Sequence, residues 1–366
     1  MRVLVTGSHG YIGSVLVPML MEAGHDVTGL DSDLYRKCAY GPAFPAVPLL
    51  KKDVRDVEDS DLEGFEAIIH LAALSNDPLG DLNPQLTLEI NHAATIRLAG
   101  RAKTAGITRF LFSSSCSMYG AAGEDALDEH AEFQPVTPYA VSKVLVERDL
   151  AKMADTGFSP TCLRNATVYG VSPRMRFDLV LNNLVAWAYT TGLVMLKSDG
   201  TPWRPIVHIE DVCRAFMATL GAPRKVVHNQ AYNVGIQEEN YRIRDLAEMV
   251  RELVPGSRIE YGGDAGPDKR SYRVDFRKYT QAFPDSPLSW DARKGAGQIL
   301  GSYRANGLKQ VDFEGPRYMR IAHIKQLLAE GLLDENLRWT DKGTESPLTR
   351  GVQLSEGIGS KSDGRS

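Results

Sequence analysis

The chain opens with a short apolar strand pattern, residues 2–5, that runs directly into a glycine-rich turn. Glycines spaced as they are here let the backbone turn tightly, approach a pyrophosphate closely and pack a new helix against the strand. The start of that helix offers N–H groups to the anion. This strand–turn–helix unit predicts a dinucleotide site. Its residues are Gly7, Gly10, Tyr11, Ile12 and Gly13.

An acidic residue, Asp31, ends the second apolar strand pattern, residues 26–30. A carboxylate at this position can bind the ribose hydroxyls of the adenosine half of a dinucleotide. The same charge would repel a 2′-phosphate. The sequence therefore predicts NAD rather than NADP as the cofactor.

Composition excludes several other classes of protein. The 366 residues have a formal net charge of −4 and contain no lysine/arginine cluster, which argues against nucleic acid or an anionic membrane as partner. No apolar run could span a bilayer, and the first strand begins too early for a signal peptide, so a cytoplasmic location is expected. The widely spaced cysteines predict neither disulfides nor a metal site.

Short apolar runs alternate with longer helical patterns through the first half of the chain. This alternation predicts an α/β fold of the Rossmann type, with a doubly wound parallel sheet. We expect residues 1–165 to form the cofactor domain, with part of 205–235 returning to it. Residues 166–340 are expected to form most of a smaller, C-terminal substrate-binding lobe, because glycine and proline interrupt shorter elements there. Residues 341–366 are predicted to be a disordered tail.

Tyr139 and Lys143 lie four residues apart at the start of a predicted helix, so they share one helix face. A lysine ammonium beside a tyrosine favours the phenolate, which allows the pair to transfer a proton near neutral pH. Ser115 belongs to a cluster of hydroxyl residues at the end of the preceding strand, where parallel sheets place their active sites. It is the expected hydrogen-bond partner in the same site.

Together, these motifs resemble the extended short-chain dehydrogenase/reductase family, and within it the NAD-dependent nucleotide-sugar epimerase/dehydratase group. The resemblance covers roughly residues 1–280. It implies that Ser115, Tyr139 and Lys143 are catalytic, and that Tyr139 and Lys143 also contact NAD. The other residues that it implies for the cofactor are Asp53 and Val54 at the adenine, Leu71, Ala72 and Ala73 beside the pyrophosphate and ribose, and Asn91, which would help to hold the lysine.

The resemblance also implies a nucleotide-diphosphate-sugar substrate. Arg204 would bind the diphosphate, because a guanidinium makes paired, charge-assisted hydrogen bonds to phosphate. Arg270 would be a second such contact. The remaining expected substrate residues are Asn182 and Asn183, just ahead of a helix, Cys116 and Ser117, lining the pocket, and Thr167, which replaces an asparagine usual in sugar epimerases.

The expected activity is epimerisation of the sugar, most simply at C4 through a transient 4-keto intermediate. A 4-ketoreductase or dehydrogenase with exchangeable NAD(P)H is the main alternative. A 4,6-dehydratase is disfavoured, because that chemistry needs an acidic pair where this chain has Cys116 and Ser117. A nucleotide sensor without chemistry would not need the tyrosine–lysine pair. The family resemblance further implies a homodimer, formed through the helices predicted around residues 86–105 and 137–156.

Overall fold

A computed structural model describes residues 1–41, 46–75, 77–262 and 270–344. The strands in this part of the chain are β1 Arg2–Thr6, β2 Asp26–Leu30, β3 Leu49–Leu50, β4 Ala67–His70, β5 Arg109–Ser115, β6 Ala121–Leu127, β7 Ser159–Asn165, β8 Thr167–Tyr169, β9 Leu193–Leu196, β10 Trp203–His208, β11 Gln230–Val234, β12 Asn240–Arg242, β13 Arg258–Tyr261 and β14 Ser271–Val274.

The helices are α1 Gly13–Glu22, α2 Asp77–Leu82, α3 Pro84–Leu88, α4 Ala94–Thr104, α5 Pro138–Met153, α6 Val180–Thr191, α7 Ile209–Gly221, α8 Arg224–Val227, α9 Ile243–Leu253, α10 Arg277–Ala282, α11 Ala292–Ala305, α12 Gln310–Glu314, α13 Arg320–Ala329 and α14 Asp341–Thr344. Short 3₁₀ turns cover Val54–Asp56, Asp59–Leu62 and Cys116–Tyr119, and a π-helical turn covers Glu89–Ala93.

Within the described residues, seven strands form a central sheet in the order β11-β7-β5-β4-β1-β2-β3. All neighbouring strands in it are parallel. Strands β4 and β7 are buried along their whole length, as expected for a parallel sheet covered on both faces. The predicted Rossmann-type fold is confirmed.

The direction of winding reverses between β1 and β4, which lie side by side in the sheet. Open sheets of this type bind ligands in the crevice at such a switch point, outside the carboxyl ends of the strands. The loops after β1 and β4 therefore define where the site is built.

Smaller sheets lie outside the central one. The described residues form the sets β12-β10-β8, β13-β9 and β14-β6. The pairing of β14 with β6 is parallel and brings the chain around residue 272 next to the segment that follows β5. The C-terminal half thus contributes to the same region as the carboxyl end of the central sheet.

Two predictions about helices are corrected. The single helix expected over residues 86–105 is interrupted by the π-helical turn at Glu89–Ala93, between α3 and α4. The disordered tail was expected from residue 341, but residues 341–344 form α14, whose Gly343 amide bonds to the Thr340 carbonyl. Residues 345–366 lie outside the described part of the chain.

One compact unit contains the described residues up to His323, and a second unit begins at Ile324. Apolar side chains of β1, α1 and α7 form one buried cluster of the first unit, and those of α6, α9 and α11 form another. In the second unit, Leu333 and Trp339 form an antiparallel bridge. The functional residues predicted from the sequence all belong to the first unit. The separation into cofactor and substrate lobes, and the homodimer, stay predictions.

Candidate active site

The glycine turn is a close-packed junction between β1, α1 and the loop after β4. Gly7 has a φ of +71°, and a Cβ there would lie 2.7 Å from the backbone nitrogen of Ala72. A Cβ on Gly13 would lie 2.2 Å from the carbonyl oxygen of Gly7. Neither position can accept a side chain unless the backbone moves, because real contacts of a Cβ are longer. Helix α1 begins at Gly13, so its N-terminal amides lie at this turn.

Asp31 lies just beyond β2 and faces the same turn. Its carboxylate accepts hydrogen bonds from the backbone N–H groups of His9, at 3.0 Å, and Asp33, at 2.7 Å. Burial raises the pKa of Asp31, while these two hydrogen bonds oppose the shift. The acid is thus fixed in place beside the loop, with acceptor capacity left for a ribose hydroxyl.

The loop after β4 lies directly against the glycine turn. The amide of Leu71 bonds to the Thr6 carbonyl at 3.1 Å, and the amide of Ala72 bonds to the Thr6 hydroxyl at 3.3 Å. These bonds hold residues 71–73 beside Gly7, where the sequence predicts the cofactor. Ala73 follows in the same loop and is partly exposed.

Asp53 and Val54 lie at the start of a 3₁₀ turn. The Asp53 carboxylate caps this turn through the Arg55 amide and forms an ion pair with the Arg55 guanidinium at 2.8 Å. Val54 is buried. Asp53 therefore has a structural role in the protein, and its predicted contact with adenine stays a prediction.

Asn91 sits in the π-helical turn, a type of irregularity that is frequent at functional sites. Its side chain bonds to both the amide and the carbonyl of Leu74, at 2.8 and 3.1 Å, and donates to the Ser142 hydroxyl. The lysine itself is held elsewhere, by Ser113. Asn91 thus fixes the loop after β4 to the neighbour of Lys143, and the expectation that it helps to hold the lysine stays a prediction.

Helix α5 carries Tyr139 and Lys143 and packs against β5 and the turn that follows it. The helix begins at Pro138, with the Thr137 hydroxyl accepting from the Ala140 amide as an N-cap. The Lys143 ammonium lies 5.5 Å from the centre of the Tyr139 ring. The two side chains are therefore brought together as the spacing predicts.

Lys143 is buried at the carboxyl end of the sheet. Its Nζ donates to the Ser113 carbonyl at 2.7 Å and lies 4.5 Å from the centre of the Phe112 ring. Burial lowers the pKa of Lys143 to about 7, against the opposing effect of Glu147. Such a group titrates in the working range of an acid/base site.

Ser115 ends β5 and caps the 3₁₀ turn that follows. Its hydroxyl accepts from the Ser117 amide at 3.1 Å and donates to the Ser117 hydroxyl at 2.9 Å. Both serines are partly exposed. The structure thus places the predicted catalytic hydroxyl at the edge of the sheet that α5 covers.

A buried ion pair supports this face of α5. Glu147, one turn after Lys143, pairs with Arg164 of β7 at 2.7 Å and accepts from the Ser114 hydroxyl of β5 at 2.5 Å. Burial opposes the charge on Arg164, but Glu147 keeps the pKa of its guanidinium above the usual value. The pair joins the helix that carries the tyrosine and lysine to two strands of the central sheet.

Two predicted substrate residues meet at a third residue, Tyr272. The guanidinium of Arg204, on β10, lies 5.5 Å from the centre of the Tyr272 ring, and Arg204 is only 7% exposed. Burial raises the pKa of Tyr272 to about 12, while Arg204 and Arg270 both lower it. Arg204 and Arg270 therefore act on one phenol, and their predicted binding of a diphosphate stays a prediction.

The predicted positions of two further substrate residues relative to the neighbouring helix are corrected. Asn182 and Asn183 lie inside α6, not ahead of it, and both are buried. Asn182 accepts from the Gly170 amide and donates to the Tyr11 hydroxyl and the Arg176 carbonyl, while Asn183 donates to the Phe177 carbonyl. These bonds shape the loop before α6. Thr167 begins β8 and is partly exposed.

Cys116 does not line an open pocket. Its exposure is 0%, it belongs to the apolar core, and its thiol donates to the Arg164 carbonyl at 3.1 Å. Burial raises the pKa of this thiol well above its usual value. The expectation of a pocket-lining cysteine is therefore wrong, because the side chain after Ser115 points into the core.

Comparison with known proteins identifies the family. A sequence profile of the NAD dependent epimerase/dehydratase family matches residues 3–235. The chain belongs to this family. Its cofactor is NAD, and the glycine turn, the helix start at Gly13 and the fixed Asp31 are the kinds of group that hold the pyrophosphate and ribose of this dinucleotide.

Relatives in this family include enzymes named UDP-glucose 4-epimerase. The one from Azospirillum brasilense is 30% identical over 280 residues, which cover 70% of this chain and 79% of that protein. The one from Erwinia amylovora is 29% identical over 336 residues, which cover 82% of this chain and 96% of that protein.

Solved structures of other proteins show the same fold. MoeE5 in complex with UDP-glucuronic acid and NAD is 29% identical, with a TM-score of 0.72 over 83% of this chain and 99% of that one. DesIV, a dTDP-glucose 4,6-dehydratase from Streptomyces venezuelae, has a TM-score of 0.72 over 85% of this chain, at 24% identity. At that identity the likeness shows the fold alone.

The described part of the chain contains neither a metal-ligand cluster nor a membrane-spanning helix. No group of three or more His, Cys, Asp or Glu side chains there could hold a metal ion. None of its helices has the length and apolar character needed to cross a bilayer.

Sequence reasoning missed several residues that the fold places among the predicted site residues. Arg176 lies near the hydroxyls of Tyr139 and Tyr11, which help Asp178 to keep the pKa of its guanidinium above the usual value against the effect of burial. The signal in the sequence was a second arginine, Arg174, two residues before Arg176 in the short segment ahead of α6. Others are Ser75, Glu147, Tyr272 and Arg320.

Proposed function

We propose that this chain is a nucleotide-diphosphate-sugar epimerase that acts at C4 through a transient 4-keto sugar and keeps NAD bound through the cycle. The observation that carries the proposal is the buried Lys143 ammonium, 5.5 Å from the Tyr139 ring, on a helix packed against the end of β5. Two relatives that carry the name UDP-glucose 4-epimerase support the choice of reaction.

Each residue of the trio has a defined task in this proposal. Tyr139 acts as a phenolate, which the Lys143 ammonium stabilises, and removes the proton from the C4 hydroxyl; Lys143 also orients the ribose. Ser115 donates a hydrogen bond to the developing ketone oxygen. Bound NAD supplies the acceptor, and later the donor, of a hydride. Tyr139 returns the proton to the oxygen once the sugar has presented its other face.

In this proposal, the arginines around Tyr272 bind the substrate. Arg204 is buried and preorganised, so its guanidinium would give up little freedom on binding a diphosphate. Arg270 adds a second positive charge beside the same phenol. We propose UDP-sugars as the first substrates to examine, because the relatives named above act on or bind them.

A 4,6-dehydratase reaction has less support. Cys116, after Ser115, is buried in the core with its pKa raised, so it cannot serve as an acid or base towards a sugar. A serine hydroxyl at position 117 titrates too high to replace a carboxylic acid. These positions favour epimerisation.

The test measures cofactor content and reaction together. Nucleotide is released from the purified protein and quantified, and the protein is then incubated with UDP-, dTDP-, GDP- and CDP-sugars without added cofactor. We expect NAD to copurify and a C4 isomer to form with no net change in NADH absorbance. Conversion of 4-keto sugars only after reduced cofactor is added would overturn the proposal and establish a reductase.

A further inference from the structure

Two buried arginines from distant parts of the chain meet at one serine. Arg176 precedes α6, and Arg320 begins α13; each is 7% exposed. Their Nη1 atoms lie 3.4 and 3.3 Å from the hydroxyl oxygen of Ser75, and Arg176 also donates to the Ser75 carbonyl. Two guanidinium groups thus share a small, largely dry space.

The positive charge of this pair is only partly balanced. Arg176 forms a two-point ion pair with Asp178, at 2.6 and 3.1 Å. Arg320 contacts the Ser75 hydroxyl and the face of the Tyr35 ring, 4.2 Å from its guanidinium carbon, and it makes no ion pair with a carboxylate of a described residue. Burial lowers the pKa of Arg320, and the charge of Arg176 adds to that effect. A buried cation that makes no ion pair favours the binding of an anion.

The position of the two arginines indicates which anion they would bind. Ser75 follows the loop beside Gly7, and Tyr35 follows Asp31 at the end of β2. Arg176 acts electrostatically on Tyr11 of the glycine turn and on Tyr139. The arginines therefore stand among the loops that follow β1, β2 and β4. In this fold, those loops surround the pyrophosphate of the dinucleotide.

The segment that carries Arg320 is attached to the loop after β2. The Tyr318 hydroxyl donates to the Ala39 carbonyl at 3.2 Å, and His323 Nε2 lies 3.1 Å from the Leu34 carbonyl. These two bonds flank Arg320 and fix the helix start over the loop. The segment lies beyond residue 235, where the match to the family profile ends.

We propose that Arg320, assisted by Arg176, binds the pyrophosphate of NAD, so that a segment outside the family profile retains the cofactor. The glycine turn would hold the phosphates from one side through backbone amides, and the arginines would hold them from the other through charge-assisted hydrogen bonds. The inference rests on NAD as the cofactor and does not depend on the sugar that reacts.

The test compares ligands with and without a pyrophosphate. Full-length protein freed of nucleotide is titrated with NAD, ADP-ribose and adenosine, for wild type, Arg320→Met and Arg317→Met. Arg317 is the matched control, since it lies in the same segment with 57% of its side chain exposed. We expect Arg320→Met to weaken NAD and ADP-ribose by roughly tenfold or more, with adenosine unchanged. Arg317→Met should match wild type.

Other outcomes would overturn the inference. Equal weakening of adenosine and ADP-ribose would show a structural role for Arg320. Unchanged NAD binding with weaker binding of a UDP-sugar would assign the charge to the substrate. Arg320→Lys covers the case in which the methionine variant does not fold: it should keep the fold and bind NAD with intermediate affinity. Binding is read without turnover, so failure of the epimerase proposal leaves this test intact.

Discussion

At the scale of single residues, the most important feature of the candidate site is the position of the Lys143 ammonium. Lys143 is buried against the Ser113 carbonyl, close to the ring of Tyr139. A buried ammonium stabilises a neighbouring phenolate more strongly than an exposed one, because little water screens it. In the proposed reaction, proton transfer therefore depends on the phenol of Tyr139.

Replacing Tyr139 by phenylalanine tests this role. We expect kcat for epimerisation to fall by roughly 10²–10⁴-fold, since the base is lost while the ring remains. NAD content per protomer should stay as in wild type. Tyr261→Phe, at a side chain that is 55% exposed, is the control and should keep full activity. Retention of activity in Tyr139→Phe would indicate another base, or a protein that only senses nucleotide.

At the scale of elements, the predicted cofactor site is the strand–turn–helix unit at the N-terminus, whose backbone segments pack closely. Its glycines were readable from the sequence, because their spacing and the preceding strand specify one local geometry. Lys143 and Tyr139 were readable for the same reason, as partners on one helix face. Contacts that depend on tertiary packing could not be read from the sequence. Arg320 meets Ser75 only because the chain folds back, and no local pattern encodes that meeting.

A single methyl group should disrupt this element. A Cβ on Gly13 would lie 2.2 Å from the Gly7 carbonyl oxygen, so Gly13→Ala must shift the turn. We expect a loss of stability of roughly 1–3 kcal/mol and at least tenfold weaker NAD binding. Gly301→Ala, on α11 with open space around it, should be neutral or slightly stabilising. Titration with NAD and thermal unfolding would measure both. Unaltered NAD binding in Gly13→Ala would contradict the assignment of the turn.

At the scale of the whole molecule, the buried lysine makes stability depend on pH. Burial lowers the pKa of Lys143 to about 7 in the folded protein, from 10.5 for an ordinary lysine. Between these values the unfolded chain binds a proton that the folded protein does not, so this group favours folding more as pH rises from 7 towards 10. Below pH 7 both states carry the proton, and the cost of burying the charge is fully present.

Lys143→Met should abolish this contribution. The difference in Tm between wild type and Lys143→Met is expected to shift in favour of wild type between pH 7 and 9.5. Lys152→Met, at a lysine that is 67% exposed, should instead run parallel to wild type. Thermal unfolding of the three proteins across this range is the measurement. If Tm changed with pH in the same way for Lys143→Met and wild type, burial would not lower the pKa of Lys143, and the prediction would be wrong.

The pairing of β11 with β7 has a consequence for how the protein is made. Strand β7 ends at Asn165 and is buried over all of its residues, but its outer neighbour in the sheet, β11, begins only at Gln230. A nascent chain that has just released β7 therefore presents a strand with unpaired backbone groups along its open side, the kind of edge that recruits other chains. That edge closes only when the ribosome has delivered β11, so a gene fragment that stops near residue 165 should yield aggregates instead of a minimal NAD-binding domain.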